Sequence, residues 1–146
     1  MLETIGKDPR FKPVALVDEH TTTAKTAQYR LTHEAGHKNV PIFSGLTGAI
    51  AQLEADALIV STPTRTHADL IRMALVVNQH VLVDKAMTHD YPDAKALVGE
   101  ADTAWVKLCV AQDQRARSAR QEWCASLYLH YRDSRRRRAS TMHCSS

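Results

Sequence analysis

Glycine is scarce in this chain. Among 146 residues there are five, at positions 6, 36, 45, 48 and 99. No G-x-G-x-x-G turn follows any strand-like run, and Gly45 and Gly48, which do follow a short apolar run, lack the pattern. A glycine loop whose backbone N–H groups close around a phosphate is therefore not written into this sequence. Cysteine is scarce too. Cys109, Cys124 and Cys144 are an odd number with no C-x-x-C spacing, which argues against a disulfide scaffold or a cysteine zinc site and fits a reducing compartment. No apolar run reaches the roughly 20 residues of a membrane span. The first ten residues, MLETIGKDPR, hold no apolar signal-peptide core. These absences lead to the expectation of a cytoplasmic protein with no membrane partner.

One-sided charge is also missing from most of the chain. The net +3 conceals eight Arg against Glu122 and Asp133 between residues 115 and 146, while the preceding residues carry eleven Lys/Arg and fourteen Asp/Glu. A mildly acidic body with a basic tail does not match a nucleic-acid-binding fold. What is present is ordinary for a globular domain: 44% hydrophobic and 24% charged residues, in a chain long enough for one domain with its own core.

The organising stretch is ADALIVSTPTRTHADLIRMALVVNQHVLVDK, residues 55–85. Residues 57–61 are a short unbroken apolar run, the pattern of a parallel strand covered on both faces. Thr62-Pro63-Thr64 breaks it. Thr66 and Asp69 make a T-x-x-D capping box, and His67, Leu70, Ile71, Ala74 and Leu75 then recur at helical spacing. Asn78 and Gln79 close the helix, and Val81-Leu82-Val83 forms a second strand ending at Asp84-Lys85. Strand, crossover helix and strand within about 30 residues make a right-handed βαβ unit.

The flanking sequence alternates in the same way. Leu2 and Ile5 belong to the end of a helix stopped around residues 6–9. Pro13-Val14-Ala15-Leu16-Val17-Asp18 is a strand ending in an acid. Thr21, Thr22 and Thr23 are candidate helix caps. Ala24, Ala27, Leu31 and Ala35 mark a buried stripe, and Gly36 supplies the helix stop. Val40-Pro41-Ile42-Phe43 is a short strand, with Pro41 at its first residue or on an edge, and Ala49, Ile50 and Leu53 a short helix. After Lys85, Asp90 caps a helix that takes Pro92 in its first turn. Ala94, Leu97, Val98 and Ala101 form its buried stripe, and residues 105–111 a last strand. The alternation predicts an α/β fold, a mainly parallel sheet with flanking helices. Beyond residue 112 the periodicity fades. We divide the chain into a domain of residues 1–115 and, over 116–146, a helical extension with a basic tail, Arg135-Arg136-Arg137-Arg138, expected to be disordered.

S-T-P-T-x-x-H after one apolar strand and H-V-L-V-D-K through the next resemble the cofactor domain of the glucose-fructose oxidoreductase/inositol dehydrogenase (Gfo/Idh/MocA) family, which has a T-P-x-x-x-H turn followed by an E-K-P motif. The resemblance runs from about residue 2 to residue 115. It implies a Rossmann-like fold binding NAD or NADP, in proteins that transfer hydride between a sugar or cyclitol hydroxyl and the cofactor. It also implies roles residue by residue. Asp18 takes the acidic position that accepts the adenosine ribose hydroxyls, favouring NAD over NADP. Thr62, Pro63, Thr64 and His67 form the turn beside the ribose and nicotinamide. Lys85 takes the E-K-P lysine, close to the nicotinamide and the reacting hydroxyl, the candidate catalytic residue. Here that motif reads Asp84-Lys85-Ala86, with the Glu shortened and the Pro lost.

Set against the family, the chain starts at the end of the first helix, so the first strand, its glycine loop and the second domain are expected to be missing. That implies a truncated gene model, a splice product or a degenerate copy. In the strand order 3-2-1-4-5-6 the first strand is central. Its neighbours, residues 13–18 and 57–61, either pair directly or each keep an open apolar edge. The expectation is an oxidoreductase cofactor domain that binds NAD or NADP weakly or not at all alone. Its full-length relatives act on polyol or sugar-like substrates and often oligomerise. The alternative is a non-catalytic remnant or interaction module.

Other motifs have plainer readings. His33-Glu34-Ala35-Gly36-His37 matches H-E-x-x-H, the metalloprotease signature of a zinc hydrolase. Gly36 and then Asn39-Val40-Pro41 end the helix almost at once and no third ligand is evident, so chance is the better reading and we assign no metal. Cys109 is expected to be a small core residue. Arg137-Arg138-Ala139-Ser140 resembles a basophilic kinase site, and the Arg run an import signal, patterns that arise often by chance.

Overall fold

A computed structural model describes residues 6–111. The chain divides after Cys109 into two units, and the description that follows concerns the first, with the final strand running across that boundary. The sequence-based boundary at residue 115 and the extension beyond it lie outside the described residues.

The elements alternate as expected. They are β1 (Leu16–Val17), α1 (Thr21–Ala35), β2 (Ile42–Phe43), α2 (Leu46–Gln52), β3 (Ala57–Val60), a 3-10 turn (Thr64–Thr66), α3 (His67–Val76), β4 (His80–Asp84), α4 (Tyr91–Thr103) and β5 (Leu108–Ala111). They form two sheets rather than one, β1-β2 and β3-β4-β5. β1 pairs parallel with β2, Leu16 opposite Ile42 and Val17 opposite Phe43. β3 pairs parallel with β4, from Ala57 opposite His80 to Val60 opposite Val83. Among the described residues the second of the two expected outcomes holds: β1 and β3 are both edge strands.

The core lies in the second half. Val60, Val81 and Val83 from the sheet meet Ile71, Ala74 and Leu75 of α3, Leu97 and Ala101 of α4, and Val106. Helix α3 lays its apolar stripe on β3 and β4, and α4 packs on α3, its Leu97 and Ala101 joining the same cluster. The opposite face is less covered. Ile59 is 40% exposed, so the apolar run of β3 is enclosed on one face only, a correction to the two-faced burial read from its sequence. The first half buries Ala24 and Leu31 of α1, Val40, and Leu46 and Ala49 of α2. Gly6 belongs to this packing, because a Cβ there would stand 2.8 Å from the Leu31 side chain.

Several local expectations are revised. The strand over residues 13–18 shortens to two residues, because β2 alone offers it a ladder; Leu16 N–H bonds the Pro41 carbonyl and Asp18 N–H the Phe43 carbonyl at either end. None of Thr21, Thr22 and Thr23 caps α1; His20 occupies the cap position without a side-chain bond, and the Asp18 carboxylate accepts the His20 N–H at 2.7 Å. The Thr66–Asp69 capping box does not form. The chain enters α3 through a 3-10 turn, and the Thr66 hydroxyl bonds back to the Pro63 carbonyl at 2.9 Å instead of forward into the helix. Asp90 does cap α4, accepting Asp93 N–H at 2.9 Å, with Pro92 in the first turn. Val98 is 49% exposed, outside the stripe assigned to it. Trp105, placed on the last strand by its sequence, sits in the preceding turn with φ 56°.

Candidate functional site

In open α/β sheets ligands gather at the carboxyl ends of the strands. β3 and β4 run parallel, so the segments following Val60 and Asp84 emerge side by side at that end. The first is the turn Thr62-Pro63-Thr64, the second the loop Lys85-Ala86, whose joining peptide is cis. Hydrogen bonds organise each. In the turn, the Thr62 and Thr66 hydroxyls stand 2.7 Å apart, and Thr66 N–H and Oγ1 both donate to the Pro63 carbonyl. In the loop, Asp84 Oδ1 accepts Lys85 N–H at 2.8 Å, and Oδ2 accepts the Ser61 hydroxyl at 3.4 Å. The shortened acid of the D-K-A motif thus bonds the backbone of its own loop and the end of β3.

His67 joins the two loops from beneath. It is the first residue of α3, fully buried at 0% exposure. Its Nε2 lies 2.8 Å from the Thr62 carbonyl and its Nδ1 2.8 Å from the Ala86 carbonyl. A neutral ring donates to one of these; donation to both requires a proton on each nitrogen. In the neutral ring one nitrogen donates a hydrogen bond and the other only lies close to its carbonyl oxygen. The sequence reading set His67 beside the cofactor; in the structure its ring lies between the Thr62 and Ala86 carbonyls.

Thr62 and Pro63 are exposed, Thr64 half-buried and Lys85 exposed. Asp18 stands apart from these, at the carboxyl end of β1, half-buried. Its Oδ1 holds the His20 N–H, which leaves Oδ2 for a further donor. The described residues thus fit the two ends of a dinucleotide: a carboxylate for ribose hydroxyls at β1, a polar turn and a lysine at β3 and β4. They do not fit its middle. Among the described residues, β1 and β3 each keep one unpaired edge and no glycine turn lies between them.

Sequence reasoning passed over Asp84 as an organiser of the loop and His80 as a link to β5. The His80 ring is half-buried on β4, and its Nδ1 accepts Lys107 N–H at 3.0 Å. Burial, with the nearby Lys107 charge, lowers its pKa against the opposing pull of Asp56. A histidine opening an apolar strand was the only signal available. The H-E-x-x-H match does not assemble. Gly36, with φ 78°, ends α1, His37 Nε2 lies 2.7 Å from the Gly6 carbonyl, and the His33 ring stacks on Tyr29 with centroids 4.2 Å apart. No group of three metal-binding side chains occurs among the described residues, and no helix among them is long and apolar enough to cross a membrane. Cys109 is half-buried rather than enclosed.

Parallel strands joined by crossover helices, with polar loops at their carboxyl ends and an acid closing the strand before α1, define a Rossmann-type nucleotide-binding domain. The sequence profile of the oxidoreductase family with an NAD-binding Rossmann fold, Gfo/Idh/MocA, matches residues 2–112, and the chain belongs to that family. An oxidoreductase of Schizosaccharomyces pombe is 26% identical over 106 residues, 73% of this chain and 27% of its own length. The UDP-N-acetylglucosamine 3-dehydrogenase of Acidithiobacillus ferrooxidans is 34% identical over 68 residues, 47% of this chain and 22% of its own. Its solved structure matches with a TM-score of 0.60 at 26% identity, over 77% of this chain and 34% of that one. The WlbA dehydrogenase from Bordetella pertussis, solved in complex with NADH and UDP-GlcNAcA, matches with a TM-score of 0.57 at 28% identity, over 75% of this chain and 29% of that one. The chain spans about a quarter of the length of the curated relatives it matches.

Proposed function

We propose that the chain supplies cofactor-binding elements of a dehydrogenase acting on a hydroxyl of a sugar-like or polyol compound, and that by itself it holds NAD or NADP weakly. The observation that carries this reading is the convergence of the Thr62–Thr64 turn and Lys85 at the carboxyl ends of two adjacent parallel strands, in a chain whose family binds NAD. Asp18 accepts hydrogen bonds from the adenosine ribose, which favours NAD, since a 2′-phosphate would meet a like charge. The turn lies along the nicotinamide ribose. Lys85 orients the reacting hydroxyl and eases departure of its proton. The nicotinamide supplies the hydride acceptor. His67, from below, keeps turn and loop in register.

The weakness follows from the pyrophosphate. Backbone donors to a charged group contribute about 1.5–3 kcal/mol each, and a chain without a glycine loop forgoes two or three of them. That shifts a micromolar site to about millimolar or weaker. Calorimetric titration with NAD and NADP tests this, run beside a version carrying an added strand and G-x-G-x-x-G turn from a family member. The expected result is tight NAD binding by the extended chain only. Micromolar NAD binding by the unextended chain would show that the phosphates find other donors. No binding by either would favour the non-catalytic interaction module.

A further inference from the structure

Helix α4 presents unlike flanks. Leu97 and Ala101 enter the core. Asp93 and Glu100 receive Arg72 of α3 at 2.8 and 3.4 Å, which fixes that flank to its neighbour. Tyr91 and Val98 lie roughly 160° around the helix from those two acids, at 100° per residue. Trp105 takes the next seven-residue step, just past the cap at Ala104. These three large apolar side chains are 77%, 49% and 88% exposed. Lys95 and Asp102, both exposed, alternate with them. Neither has an ion-pair partner among the described residues, and seven residues of helix, about 10 Å, keep them from each other.

We propose that this stripe is a self-association surface whose occupant is α4 of a second copy, packed antiparallel about a twofold axis near Val98. The charge order decides both occupant and direction. Read along α4 the stripe is aromatic, cation, aliphatic, anion, aromatic, and reversal exchanges the two charges. An antiparallel copy therefore sets Tyr91 against Trp105 of the second copy, Val98 against Val98, and Lys95 against Asp102, each charge pair occurring twice. A parallel copy would set Lys95 against Lys95. A surface that complements itself under a twofold is what an isologous dimer requires. The contact is small. With about 150–250 Å² per fully buried aromatic, it falls below the area of permanent dimers, so the association is weak and reversible.

Sedimentation velocity on the full chain, from micromolar to millimolar concentration, with tryptophan emission followed in parallel, tests this. The sedimentation coefficient should climb toward that of a dimer while the emission moves to shorter wavelength. Trp105→Asn should abolish the rise in sedimentation coefficient; asparagine tolerates the left-handed backbone at that position, and circular dichroism verifies the fold. Lys95→Glu should weaken the dimer about tenfold, by removing two ion pairs and adding two repulsions. Adding Asp102→Lys should restore it. A chain monomeric throughout, as it would be if residues 112–146 covered the stripe, overturns the proposal. So does a dimer indifferent to Trp105→Asn, or a double charge variant that fails to recover.

Discussion

The two halves of the described chain use the same alternation of strand and helix and reach different degrees of closure. In β3-α3-β4-α4-β5, strands of four and five residues lie under two helices, and nine buried residues join in one cluster. In β1-α1-β2-α2, the strands are two residues long and neither is fully buried; the buried residues there are Ala24, Leu31, Val40, Leu46 and Ala49. Helix propensity does not account for this, since α1 with 15 residues is the longest helix described. The difference lies in what each helix finds to cover. Helix α3 rests on strands of a three-stranded sheet with α4 packed beside it, whereas α1 rests on a two-stranded one. A two-stranded unit is marginal in water and gains stability mainly from what packs on it. Long α1 on a minimal sheet is thus stabilised less by its own packing than shorter α3.

Core truncation would break this comparison most directly. Ile71→Ala removes a side chain with 0% exposure from the centre of the cluster and should cost about 2–5 kcal/mol. Leu31→Ala in the first half should fall at the lower end of that range, because a thin shell collapses more easily around the cavity. Urea denaturation of both variants measures it, and equal losses would mean that the first half is as tightly closed as the second. Native-state hydrogen exchange gives the same comparison by residue. The amides of β3 and β4 should need near-global unfolding to exchange, and those of β1 and β2 only local opening.

The next effect in size belongs to His67. His67→Ala removes the ring that lies between two carbonyls at the carboxyl ends of β3 and β4 and opens a cavity, with an expected cost of about 1–3 kcal/mol. The sharper readout is local. Exchange of the Lys85 and Met87 amides should accelerate more than that of Val81, because the staple acts on the loop while the ladder remains. Uniform acceleration would make His67 an ordinary core residue rather than a link between turn and loop.

How much of this was legible in the sequence follows from the kind of signal each feature leaves. The alternation of strands and helices and the Asp90 cap rest on local patterns that act within one element, and they hold. The division into two sheets was legible only as a pair of alternatives, because it depends on which strands find partners. Failures cluster where two local signals compete. Thr66 could cap α3 or close the 3-10 turn with Pro63, and the turn prevails because the Pro63 carbonyl lies within its reach. Val98 fits an apolar stripe by spacing, yet burial of Leu97 and Ala101 sets the rotation of α4, and that rotation carries Val98 out. The candidate site residues were taken from motifs, and their part in binding is a proposal. The place of the His67 ring between two carbonyls was not legible, because backbone carbonyls leave no trace in a side-chain pattern.

The smallest expected effect concerns the seam between β4 and β5, within the better closed half. His80 Nδ1 accepts a backbone N–H from Lys107, which it can do only while that nitrogen carries no proton. Burial is the main cause lowering the pKa of this ring, the Lys107 charge adds to it, and Asp56 works against it. A histidine with a folded pKa below its unfolded value of about 6.5 binds protons more readily when unfolded. Its contribution to stability is therefore whole above that pH and is lost as pH falls through the folded value. Acidification from neutral pH should lower the urea midpoint before the carboxylates titrate. In His80→Asn, where the amide oxygen can still accept the Lys107 N–H but does not titrate, that early decline should be reduced, with the midpoint above pH 7 little changed. The decline is a modest one, since the ring is only half-buried. An identical early decline in His80→Asn would assign it to other histidines. The seam between β4 and β5 would then be insensitive to pH in this range, and the second half would stay closed where the first begins to open.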